Sequence, residues 1–113
     1  KKERQIIFYL DYFQDFYLKL DTNVKEKIRY VFRVVEVVEK IPQKFLKHIE
    51  GADGLYELRI ESGNDIYRIF CCFDRGNLVV LFNGFQKKTQ KTPRQEIRLA
   101  ERLMKEYFAE KSR

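Results

Sequence analysis

Residues 55–85 read LYELRIESGNDIYRIFCCFDRGNLVVLFNGF, and the fold turns on them. From Leu55 to Glu61 apolar and polar residues alternate. That period puts Tyr56, Leu58 and Ile60 on one face of a strand and Glu57, Arg59 and Glu61 on the other. Ser62-Gly63-Asn64-Asp65 supplies turn residues. The next strand, Ile66–Phe73, turns Tyr67, Ile69, Cys71 and Phe73 one way and Arg68, Phe70 and Cys72 the other. Asp74-Arg75-Gly76-Asn77 marks a second turn, and Leu78–Phe85 is a nearly uncharged run with the character of a buried strand. Two short hairpin loops in succession predict an antiparallel meander.

Upstream, Arg4–Leu10 is a short apolar run that suits a first strand. In Asp11–Leu20, Phe13, Phe16, Tyr17 and Leu20 recur at helical spacing. Asp21-Thr22-Asn23 ends that helix and caps the next, whose stripe is Val24, Ile28, Val31, Val35 and Val38. This second helix should stop near Lys40, because Ile41 precedes Pro42. Pro42–Gly54 reads as a connector with a turn of helix around Phe45–His48. Downstream, Thr92 is the expected N-cap of a last helix, with Pro93 at its first position and Gln95 closing a capping box. Its apolar stripe is Ile97, Ala100, Met104 and Tyr107, with Leu103 and Phe108 beside it. The expected architecture is α+β: two N-terminal helices on a small antiparallel sheet, then a C-terminal helix, in one domain over residues 1–113.

Composition agrees with a packed domain. Of 113 residues, 44% are hydrophobic and 15% aromatic, a globular balance and not a disordered one. No apolar run approaches a membrane span, and the N-terminus shows no signal-peptide pattern, so a cytoplasmic setting without a membrane partner is expected. A start at Lys1 without Met leaves room for residues before it. Cys71 and Cys72 are adjacent on a strand and point to opposite faces, so they serve as small apolar filler in a reducing compartment. With one His and no CxxC spacing, neither a zinc site nor a Cys–His nucleophile is expected, and no cofactor is called for.

The net charge of +6 is unevenly placed. Residues 86–113 hold nine Lys/Arg against four Asp/Glu, whereas residues 1–85 hold fourteen against thirteen. Arg98, Arg102 and Lys105 interleave with Glu101 and Glu106 as on any solvated helix. Lys87, Lys88 and Lys91 do not: they crowd the short link Gln86-Lys87-Lys88-Thr89-Gln90-Lys91-Thr92-Pro93 between a strand and a helix. Arg59 and Arg68 share the outward parity on neighbouring strands, so they belong on one face. Cations fixed on a small sheet suit binding or chemistry on a phosphodiester backbone. Arg59, between Glu57 and Glu61, suits cross-strand ion pairs at least as well, whereas Arg68 has no such close carboxylate. Phe70, on the arginine face, can stack on a base or pack beneath the N-terminal helices or a partner. His48 reads as a connector residue.

The runs Leu55-Tyr56-Glu57-Leu58-Arg59, Ile66-Tyr67-Arg68-Ile69-Phe70 and Leu81–Pro93, followed by Glu96-Ile97 and Ala100, resemble the phage-Gp49-like HigB branch of the RelE/ParE toxin superfamily. The resemblance covers roughly residues 42–108; the N-terminal helices suit the RelE-like fold but carry no diagnostic residues. It implies the toxin of a bacterial or phage-derived type II toxin–antitoxin pair. In RelE-like members such a toxin is a metal-independent endoribonuclease (mRNA interferase) that cuts mRNA on the ribosome. The ribose 2′-hydroxyl attacks the adjacent phosphorus and leaves a cyclic phosphate. The implied partners are a helix-turn-helix antitoxin, the ribosome with its mRNA, and operator DNA bound only by the toxin–antitoxin complex.

On this chain, Arg59, Arg68 and Lys88 become the catalytic candidates, because fixed cations stabilise a pentacoordinate phosphorus and a crowded lysine can move a proton. Lys87, Lys91, Thr89, Gln90 and Phe70 become the RNA-binding candidates. The better-known members often carry a catalytic tyrosine or histidine on a C-terminal tail; here the last strand carries Asn83 and a helix follows. Tyr107, on that helix's apolar stripe, reads as core. ParE relatives share the fold but inhibit DNA gyrase. The alternatives to an RNase are therefore a gyrase inhibitor, or an inactive relative that only joins its antitoxin on DNA.

Overall fold

A computed structural model describes residues 2–112; the two ends of the domain expected over residues 1–113, Lys1 and Arg113, lie outside the described residues. In chain order the elements are β1 (Gln5–Phe8), α1 (Tyr12–Leu18), α2 (Thr22–Val37), β2 (Leu46–His48), β3 (Tyr56–Ser62), β4 (Asp65–Asp74), β5 (Leu78–Lys87) and α3 (Arg94–Lys111). The strands form one five-stranded sheet in the order β1-β5-β4-β3-β2. The meander β3-β4-β5 is antiparallel as expected, and β1 adds a parallel edge beside β5. Gly63 and Gly76 make the two hairpin turns at positive φ, 62° and 71°, where a side chain would strain the backbone.

The two faces of the sheet carry separate cores. Phe13, Ile28, Val31 and Val35 of α1 and α2 pack on Leu58, Ile60, Tyr67, Ile69 and Leu81. On the opposite face, Ala100 and Leu103 of α3 pack on Phe70, Cys72, Val80 and Phe82. The alternation read from residues 55–73 thus sorts side chains between the helix layers. The α3 stripe centres on Ala100 and Leu103, with Ile97, Met104 and Tyr107 partly buried and Phe108 exposed. Both cysteines are buried and free, and burial pushes the Cys72 thiol up to about 12 and the Cys71 thiol higher still.

Three expectations are corrected. Residues 46–48, expected to turn as helix, form β2 and pair antiparallel with β3, with Lys47 opposite Glu57. Helix α2 ends at Val37, short of Lys40. Its last carbonyls are taken by Arg4 at the head of β1: the guanidinium donates to Val35 O at 3.2 Å, Val38 O at 2.7 Å and Glu39 O at 2.7 Å. A cation at the negative end of the helix satisfies the acceptors that another turn would have used. Helix α3 begins one residue later than expected, with Pro93 as N-cap and no side-chain cap, so the Thr92–Gln95 box is not formed. In β5, which reads from sequence only as a buried apolar run, side chains do not alternate strictly. Ile69 faces Gly84 but Cys71 faces Leu81, so β5 carries one extra residue there. The bulge turns Asn83 toward α3, where its amide donates to Glu96 O and Glu96 Oε1, each at 3.1 Å. In place of a box, this contact from β5 holds the first turn of α3.

Candidate nucleic-acid site

Near the first turn of α3 the strand register brings cations together. Arg59 on β3 lies directly opposite Arg68 on β4, and Arg68 lies opposite Phe85 on β5. The next rung is Glu61, Ile66 and Lys87. Two guanidiniums on adjacent strands repel unless a carboxylate stands between them. Glu57 is that carboxylate: its Oε2 lies 3.4 Å from Arg59 Nε and 3.5 Å from Arg68 Nε. Glu57 is itself buried, 5% exposed, which strengthens its hold on both cations.

The two arginines are not equivalent. The Arg68 side chain is only 4% exposed, against 30% for Arg59. Arg68 donates from Nη1 to Tyr67 O at 3.1 Å. Desolvation lowers its pKa, opposed by the Glu57 charge. It lies on the expected face, yet as a buried partner of a carboxylate and not as an open cation lacking one. Arg59 has its Nε near Glu57 and donates no hydrogen bond from its Nη atoms among the described residues, so its fork is free for an oxyanion.

A cleft of about 640 Å³ opens over Arg59 and Glu57, walled also by Lys47, Glu50, Lys87, Gln90 and Lys91. Of the residues singled out from sequence, the structure therefore gathers Arg59, Lys87, Gln90 and Lys91, with Arg68 behind Glu57. Lys88 and Thr89 instead wall an adjoining depression beside Asp65 and Ile66, away from the arginines. Thr89 Oγ1 donates to Lys91 O at 2.8 Å, which shapes the link. Phe70 cannot offer a face to a base: it is 0% exposed, beneath α3, and stacked on Phe85 at 5.7 Å between centroids.

His48 borders the cleft, but its ring packs edge-on against Tyr56 at 5.1 Å. Tyr107 lies far off, donating to Asp74 Oδ2 at 2.6 Å. Asp74 is six residues along β4 from Arg68, roughly 20 Å of strand. Sequence reasoning missed Glu57 as the shared brace and Lys47 as a cleft cation. The first was legible in the common parity of Glu57, Arg59 and Arg68; the second needed the unseen strand β2.

No helix of the described residues is long and apolar enough to cross a membrane. No curated protein matches the chain. The family model for phage-derived protein Gp49-like (DUF891) matches residues 2–105, so the match takes in β1 and both N-terminal helices as well as the sheet and most of α3. With that span matched and this architecture, the chain belongs to the Gp49-like family, a HigB-like toxin family of the RelE/ParE superfamily.

Proposed function

We propose that this protein is the toxin of a type II toxin–antitoxin pair and acts as a ribosome-dependent mRNA endoribonuclease in the bacterial cytoplasm. The observation that carries this reading is the cleft in which Arg59, held by the buried Glu57, faces Lys47, Lys87 and Lys91. Such a site suits a phosphodiester in a displacement that concentrates negative charge on phosphorus. The free fork of Arg59 takes two non-bridging oxygens as the 2′-hydroxyl attacks, a bidentate grip that a lysine does not give. Lys87 and Lys91 hold the neighbouring phosphates, and Gln90 supplies an uncharged contact beside them. Arg68 positions Glu57 and through it Arg59, without touching RNA. Proton transfer falls to the groups that line the cleft: Lys47, Lys87 and Lys91, and the exposed imidazole of His48. Lys88 and Thr89 take the strand as it leaves over the adjoining depression. The partner that restrains this activity is a small helix-turn-helix antitoxin, and operator DNA is bound only by the complex of the two.

The test is induction of the chain alone in bacteria, with transcript ends mapped genome-wide. Growth arrest with new ends inside translated regions is expected. Intact transcripts together with gyrase-linked DNA breaks would overturn the RNase reading in favour of a gyrase inhibitor.

A further inference from the structure

The cleft does not end at Arg59. Strand β2 stops pairing at Leu46, opposite Leu58, and the last bond across that edge runs from Arg59 N to Phe45 O at 2.8 Å. Past Arg59, β3 is itself the edge of the sheet, and the arginine stands at the corner. On the far side of that corner lies a second groove of about 340 Å³, walled by Lys27, Tyr30, Lys44, Phe45, Arg59 and Glu61. Arg59 thus belongs to both depressions.

The groove's chemistry differs from that of the cleft. Tyr30, on α2, is 55% exposed although large and aromatic, and it stands edge-on to Phe45 at 6.0 Å. Each ring carries an ammonium near its face: Lys27 Nζ is 5.6 Å from the Tyr30 centroid and Lys44 Nζ is 5.0 Å from the Phe45 centroid. Three cations stand against one carboxylate, Glu61. An exposed ring with cations beside it is the arrangement a single-stranded nucleic acid uses, with ring for base and ammonium for phosphate.

We propose that this groove binds the single-stranded RNA flanking the cleft, with Tyr30 as the stacking platform for one base and Lys27 and Lys44 as its phosphate contacts. The inference rests on the reading of the cleft as an RNA site and extends it around the sheet edge. Charge favours RNA over an acidic protein segment only together with the shared Arg59, which makes groove and cleft one continuous track.

The experiment measures binding of fluorescein-labelled single-stranded RNA, a tetranucleotide and a dodecanucleotide, to the full chain across a salt series. Tyr30→Ala should weaken the dodecanucleotide about tenfold, the scale of one lost base–aromatic stack, and leave the tetranucleotide unchanged. Tyr30→Phe should restore the longer RNA, since the ring and not the hydroxyl does the stacking. Lys27→Gln and Lys44→Gln should each flatten the salt slope for the longer RNA by about 0.7. Equal affinity of wild type and Tyr30→Ala for the dodecanucleotide, with Arg59→Ala weakening both RNAs, overturns the groove and leaves the cleft standing. Absence of binding of either RNA to the wild-type chain overturns both. Unchanged RNA binding with lost capture of a co-expressed antitoxin would make the groove a protein interface and overturn the proposal.

Discussion

Replacing Glu57 by Gln keeps the shape of the side chain and removes the one charge that separates Arg59 from Arg68. The consequence for folding follows from burial. Arg68 is 4% exposed, so its guanidinium cannot regain water when its carboxylate is lost. Breaking a buried pair by removing one partner costs about 3–5 kcal/mol, because an uncompensated charge remains inside. Arg59, directly opposite in the β3–β4 register, then adds repulsion where it had shared an anion. Against the roughly 5–15 kcal/mol that holds a typical domain, this is a large loss. Urea unfolding should show a lower midpoint at unchanged slope. A second substitution separates charge from packing. Glu57→Gln combined with Arg68→Met removes the stranded charge and should recover most of the lost stability, although Arg59 stays unbraced. A Glu57→Gln variant within about 1 kcal/mol of wild type, or a double variant no more stable than the single one, would refute the brace.

Four further outcomes are expected. Gly84→Ala would set a Cβ 2.6 Å from Phe16 Cδ2, so it should destabilise by about 1–3 kcal/mol in urea titrations, and Phe16→Leu in the same chain should relieve part of that. Tyr9 and Tyr107 are raised from 10.0 to about 12, Tyr9 first by its bond to Glu110 and Tyr107 first by burial, then by its bond to Asp74. A phenol raised on folding stabilises fully below its unfolded value and loses that contribution as pH climbs, so stability should fall between about pH 10 and 12, and less steeply in Tyr107→Phe. Asp74, lowered to about 2 first by its bond with Lys111, gives the opposite sign: its contribution is present above its ordinary pKa of 3.8 and fades toward pH 2. Lys87→Gln with Lys91→Gln should flatten the salt slope of RNA binding by about 1.4 in total, whereas Lys88→Gln should leave binding of a cleft-length RNA unchanged.

Much of this fold was legible because the central sheet obeys simple periods. Alternation from Tyr56 to Phe73 sorted side chains between the two helix layers, and Gly63 and Gly76 marked both turns. What escaped depended on tertiary partners. Leu46-Lys47-His48 has no strand signal of its own and pairs only because β3 offers an edge. Arg4 ended α2 from 31 residues away in the chain, a cap that no local pattern could show. The Gly84 in an otherwise apolar run was a signal of a bulge or a close approach, and it proved to be both, with Phe16 against it and Asn83 turned to α3. At the site, parity placed Arg59 and Arg68 correctly on one face but could not tell an open cation from a buried one. The same limit applied to Phe70, whose outward parity meant the underside of α3 and not solvent. Lys88 was indistinguishable from its neighbours until the link's path separated it from Lys87 and Lys91.

Whether Arg59 acts on the scissile phosphate is decided by single-turnover cleavage of a defined mRNA on programmed ribosomes, by wild type and Arg59→Ala at saturating protein. Arg59 is partly exposed and its loss leaves Glu57 paired with Arg68, so the variant should fold with near wild-type stability. Loss of one preorganised charge from the transition state should slow cleavage about 100-fold, with ribosome binding little changed. Cleavage by Arg59→Ala at the wild-type rate would exclude Arg59 from the chemistry, although its guanidinium stands free at the edge of the cleft.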